Sequence, residues 1–155
     1  MKKLLFACVL LMAATAVKAQ TEKGNVMIGG SIQFQSSEGS TIFMADPNVG
    51  FFFANNFAAG AQLTLISGEG TTIWGIGPYV RGYFGKSMKG KVFAQAGASF
   101  AGISDGGGST SAFQGKLGYA YFLNKNVAME FAANFMAGEG STVFGMGIGF
   151  QIHLK

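Results

Sequence analysis

From residue 24 to residue 155, apolar and polar positions alternate with a period of two, and no stretch sustains the 3.6-residue stripe of an amphipathic helix. The last segment is the clearest. Phe144, Met146, Ile148, Phe150, Ile152 and Leu154 share one parity; Gly145, Gly147, Gly149, Gln151 and His153 share the other. Successive side chains of a strand point to opposite faces, so this alternation predicts a strand with one apolar and one polar face.

Seven further segments behave alike. Val26, Ile28, Ile32 and Phe34 oppose Ser31, Gln33 and Gln35. Phe43, Ala45, Val49, Phe51 and Phe53 oppose Met44, Asp46 and Asn48. The same reading covers Phe57–Leu65, Trp74–Phe84, Val92–Phe100, Phe113–Leu123 and Val127–Phe135. The connections are of two kinds. One set is Ser36–Ser40, Ser67–Thr71, Ile103–Thr110 and Gly138–Ser141; the other is Ala54–Asn56, Gly85–Gly90 and Asn124–Asn126. All are short and rich in Gly, Asn, Ser or Lys, which is hairpin chemistry. Eight strands joined by seven hairpins predict an all-β, antiparallel, up-and-down barrel.

Three observations turn the apolar face outward, against lipid. An eight-stranded barrel has an interior with room only for side chains, and the bulky Phe, Trp and Leu set fits better outside than the Gly and short polar set. Asp46, Arg81, Lys116 and Glu130 all fall mid-strand on the polar face. Facing lipid each would cost up to about 2–4 kcal/mol, whereas inside a lumen two acids and two bases can pair. Finally, Phe43, Trp74, Phe113 and Phe144 each follow a hairpin of the first kind by two or three residues, and ten residues on lie Phe53, Phe84, Leu123 and Leu154. Such a segment, at about 3.3 Å per residue and tilted by about 40°, spans roughly 25–28 Å, the height of an apolar belt with an aromatic rim. The charges also separate by end. Glu38, Glu69, Asp105 and Glu139 occupy the first kind of loop; Lys86, Lys89, Lys91 and Lys125 lie at the other end, with Lys23 and Lys155 on the termini. With both termini toward the periplasm, the acidic end faces outward.

Composition agrees. Charged residues are 12% of the chain, against about 25% in soluble domains, while 49% is hydrophobic. Residues 1–19 read as a secretory signal: Lys2 and Lys3, an apolar stretch from Leu4 to Ala16, then the small-residue site Val17-Lys18-Ala19. The expected organisation is therefore a signal peptide over 1–19 and a barrel domain over 20–155. The leader holds Lys2, Lys3 and Lys18, three of the four net positive charges, so the basic balance gives no reason to expect nucleic acid. It also holds Cys8, the sole cysteine, so neither a disulfide nor thiol chemistry is expected in the remainder.

The eight alternating strands, the leader ending Val17-Lys18-Ala19-Gln20 and the final strand Phe144–Leu154 resemble the small bacterial outer-membrane β-barrels. The resemblance is to the general outer-membrane β-barrel domain family, of the type of the OmpA membrane domain and OmpX. It covers residues 24–155 and rests on pattern rather than on a signature motif. It implies a bacterial outer-membrane location and, as partners, outer-membrane lipid, lipopolysaccharide and the outer-membrane insertion machinery. Such barrels often end on an aromatic residue read by that machinery. Here the end is His153-Leu154-Lys155, with Phe150 and Ile152 keeping the alternation. No peptidoglycan-binding sequence follows Lys155, so the anchoring role of OmpA is not expected to carry over.

Motifs for chemistry are thin. Residues 68–77, GEGTTIWGIG, and 138–147, GEGSTVFGMG, repeat a hairpin tip and the start of the returning strand. Gly145, Gly147 and Gly149 lack the spacing and the helix of a dinucleotide fingerprint. Gly85-Lys86-Ser87 has the ending of a phosphate loop, but Val80 stands where that loop needs Gly. His153, the only histidine, lies at the end away from the acidic loops, where no triad can form. No loop has the carboxylate density of a calcium site. No catalytic residue, cofactor or metal is therefore expected. The candidate sites are the lumen charges Asp46, Arg81, Lys116 and Glu130, the aromatic rim Phe43, Trp74, Phe113 and Phe144, and the outer acids Glu38, Glu69, Asp105 and Glu139. The expected function is that of a monomeric, non-enzymatic barrel with a structural or surface-interaction role in the envelope. The alternatives, in descending order, are a narrow channel for small solutes or ions, a lipid-modifying barrel enzyme and a soluble periplasmic carrier.

Overall fold

The computed structural model describes residues 20–37, 40–68, 71–103, 109–138 and 141–155. The expected signal, residues 1–19, and the acids Glu38, Glu69, Asp105 and Glu139 lie outside the described residues. The strands are β1 (Val26–Ser37), β2 (Ser40–Ala54), β3 (Phe57–Gly68), β4 (Thr71–Phe84), β5 (Gly90–Ile103), β6 (Ser109–Phe122), β7 (Val127–Gly138) and β8 (Ser141–Leu154). Each pairs antiparallel with its neighbours in sequence, and β1 pairs with β8, so the sheet closes into an eight-stranded barrel. Closure leaves no unpaired edge, which is what lets a β structure exist in lipid.

The strands run further than the alternation alone delimits. At the loops expected to face outward, pairing continues to Ser37↔Ser40, Gly68↔Thr71 and Gly138↔Ser141. The opposite hairpins are set by local chemistry. Asn56 takes a left-handed φ of 66°, which Asn tolerates better than most residues, and Gly85 takes φ 120°, which only Gly adopts easily. The Asn124 side-chain oxygen accepts hydrogen bonds from the amides of Asn126 and Val127 at 2.8 and 2.9 Å, folding the third hairpin as an Asx turn.

The alternation maps onto the wall as expected. Phe34, Phe51, Phe53, Ile76, Val80, Phe100, Leu117 and Phe131 are exposed on the outer surface. Their strand neighbours Gln33, Phe52, Tyr79, Arg81, Ser99, Lys116 and Glu130 are buried in the lumen. The interior departs from the expected Gly and short polar filling at one end. There Met27, Phe52, Tyr83, Phe93 and Phe122 form a compact apolar layer that also includes Ala58, Ala120 and Ala128. The small alanines sit where the rings need space, which is how a narrow barrel fills its lumen.

A strap over residues 20–25 lies across this same end. It continues the β1–β2 ladder through Phe52 N to Asn25 O (2.9 Å) and Gly24 N to Phe52 O (2.8 Å). It then reaches the next hairpin, where Asn56 N donates to Thr21 O at 2.7 Å. The Gln20 side chain donates to Met88 O at 2.7 Å, tying the strap to the β4–β5 turn.

Candidate functional site

The four charges expected in the lumen are all there, as two buried pairs crossing the barrel. Arg81 on β4 meets Glu130 on β7: its Nη1 lies 2.9 Å from both carboxylate oxygens. Lys116 on β6 meets Asp46 on β2, with Nζ 2.9 Å from Oδ2. No charged side chain of these pairs is more than 5% exposed. An ion in a low-dielectric interior needs several partners besides its counter-ion, and the lumen supplies them. Arg81 Nε donates to Gln95 Oε1 at 2.7 Å, and the Tyr83 hydroxyl donates to Glu130 Oε1 at 3.1 Å. The guanidinium carbon stands 4.6 Å from the Phe93 ring centre, a cation–π contact. Lys116 also donates to Ser31 Oγ at 3.0 Å, and Gln33 donates to Asp46.

A chain of amides continues from the first pair. Gln95 donates to Gln62 at 2.7 Å, Gln62 donates to Gln114 on the far wall, and Gln114 donates to Thr64 at 3.3 Å. Their parity put these glutamines on the polar face, but nothing local in the sequence told which would meet. Two residues without side chains make room: a Cβ on Gly50 would collide with the Tyr79 hydroxyl, and one on Gly60 would collide with the Val49 carbonyl.

Below the charges the aromatic layer shuts the lumen. His153 has no exposed surface and packs on Phe122, Phe52 and Tyr83, with ring centres 5.4, 5.6 and 6.0 Å away. His153 is thus fully covered at this end of the lumen. The cover is the strap, where Thr21 donates to Asn56 Oδ1 at 2.6 Å and Lys91 Nζ donates to the same oxygen at 2.8 Å. This aromatic layer was legible in principle. Phe52, Phe93 and Phe122 have inward parity, but each is flanked by residues of the outer face, as in the run Phe51-Phe52-Phe53, and so blends into an apolar stretch.

Among the described residues the lumen holds small cavities. One of about 20 Å³, the size of a single water, lies among Gln33, Asp46, Lys116 and Asn134. Another of about 120 Å³, lined by Thr64, Ile73, Ser99, Ala112 and Met136, sits toward the other end. A far larger groove of about 1090 Å³ lies on the outer wall between Phe34, Phe43, Phe131 and Phe150, with Ser31 and Asp46 among an otherwise apolar lining. Among the described residues no three His, Cys, Asp or Glu side chains gather as a metal site.

The aromatic rim residues all sit on the outer surface. Phe43 meets Phe34 edge to face at 5.5 Å, Phe113 and Phe144 flank Phe135 at 5.9 and 6.5 Å, and Trp74 is half exposed.

No protein-family description matches the sequence, and no curated protein is similar to it. Solved structures do match in shape. The N-terminal β-barrel domain of Pseudomonas aeruginosa OprF superposes with a TM-score of 0.68 at 13% identity, over 85% of this chain and 98% of that one. Neisserial surface protein A gives 0.64 at 15% identity, over 88% and 99%. The outer membrane protein OprG from Pseudomonas aeruginosa gives 0.61 at 12% identity, over 90% and 99%.

Proposed function

From a fold it shares with the small eight-stranded outer-membrane β-barrels, we propose that this chain spans a bacterial outer membrane as a closed, non-enzymatic barrel. Its role is structural or one of surface interaction within the envelope. One observation carries this reading. The apolar belt runs around the outer wall, while Asp46, Arg81, Lys116 and Glu130 are paired inside. A soluble carrier needs the opposite arrangement, since its outer wall must be wetted. A channel needs a path, and here two ion pairs, an amide chain and an aromatic layer follow one another along the lumen. The partners that follow are the lipid around the belt, lipopolysaccharide and the machinery that inserts such barrels. The barrel acts as a monomer.

Cell fractionation tests the reading. The chain is expected to stay with membranes through an alkaline wash and to leave only with detergent. It should also migrate faster on a denaturing gel when unheated, because a closed barrel resists the detergent until heated. Release by the wash alone would overturn the proposal.

A further inference from the structure

The charges on the outside of the barrel are not spread over it. Among the described residues the acids are Glu22, Asp46 and Glu130, and the last two are sealed in the lumen. Five lysines are exposed: Lys23, Lys86, Lys89, Lys125 and Lys155. Lys23 is held beside the β2–β3 turn, its amide donating to Asn55 Oδ1 at 2.9 Å. Lys86 and Lys89 lie in the β4–β5 turn, Lys125 in the β6–β7 turn, and Lys155 after β8. They therefore ring one rim of the barrel, with Glu22 as the one exposed acid among the described residues.

We propose that this lysine ring is a docking surface for anionic phospholipid headgroups in the leaflet at the terminus-bearing end. The inference rests on the reading of the chain as a membrane barrel. Three features favour that ligand. The ring follows the turns around the barrel instead of clustering on one side, so it suits the lipid that encircles the protein rather than a partner docking from one direction. The half-exposed Tyr119 and Tyr121 lie near the same rim, with the Tyr119 hydroxyl laid over Gly90 beside Lys89. Tyrosine phenols and lysine ammonium groups are the side chains that bridge an apolar belt and a headgroup layer. Like charges on a narrow rim also repel one another, and phosphates between them remove that cost.

The test is lipid retention. The full chain is reconstituted into nanodiscs of phosphatidylcholine with a minority of phosphatidylglycerol, released, and weighed with its bound lipids by native mass spectrometry. One lysine at an anionic headgroup corresponds to an enrichment of about fivefold for phosphatidylglycerol over its share of the bilayer. The combined variant Lys23→Gln, Lys86→Gln, Lys89→Gln should lose the preference, and the matching Arg variant should keep it. These exposed positions are not packed, so the variants should fold, and their gel mobility checks it. Insertion with equal retention of both lipids overturns the inference and leaves the membrane reading standing. Failure to insert into any bilayer overturns both. Binding to peptidoglycan sacculi without a lipid preference assigns the rim to the cell-wall polymer and overturns the inference.

Discussion

At the scale of single residues, the chain keeps ions in its lumen by giving each more than one partner. Arg81 is held by Glu130, Gln95 and the faces of aromatic rings. Arg81→Ala leaves the Glu130 carboxylate buried with the Tyr83 hydroxyl as its remaining partner among these contacts. We expect a loss of about 3–5 kcal/mol in stability. Urea unfolding followed by the fluorescence of Trp74, the sole tryptophan, measures it. The paired variant Arg81→Met with Glu130→Leu removes both charges and should recover most of that loss. Equal losses in both variants would mean that packing, and not the unpaired charge, sets the cost. The sequence placed Asp46, Arg81, Lys116 and Glu130 on one face by parity. It left open whether Arg81 would meet Glu130 or Asp46, because both acids lie on strands distant in sequence.

At the scale of elements, the strap over residues 20–25 is the part least legible beforehand. It has no alternation, and its partners at Phe52, Asn56 and Met88 lie in other hairpins. Thr21 is its anchor, buried and bonded to both Asn56 and Lys91. Thr21→Val keeps the shape and removes these side-chain bonds, at a cost of about 1–2 kcal/mol. Amide hydrogen exchange should then quicken at Gly24 and Asn56, whose amides bond to Phe52 O and Thr21 O, while the barrel strands stay protected. Unchanged exchange at both amides would remove the strap from its role as a cover. The hairpins themselves were readable, since Asn56, Gly85 and Asn124 are residues that suit tight turns.

At the scale of the whole molecule, closure through β1 and β8 makes an object with an apolar outside and a filled inside. The filling is layered, with amides and ion pairs over an aromatic layer and the strap beneath. Opening one layer leaves the next in place. In planar bilayers we expect no conductance steps from the wild type, and none from Arg81→Ala. Discrete steps in the wild type would overturn the reading of a sealed barrel and revive the narrow channel.

The amino-acid sequence by itself determined the number of strands, their antiparallel order, the face each residue takes and that the apolar face turns outward. These follow from a local rule, because the extended backbone sends successive side chains to opposite faces whatever lies beyond the strand. Only the tertiary structure decided which inward residues touch. Register and closure bring Glu130 to Arg81, Asp46 to Lys116, and Phe52, Tyr83, Phe122 and His153 into one layer. Those contacts depend on how far each strand is shifted against the next, and that shift is a property of the closed barrel.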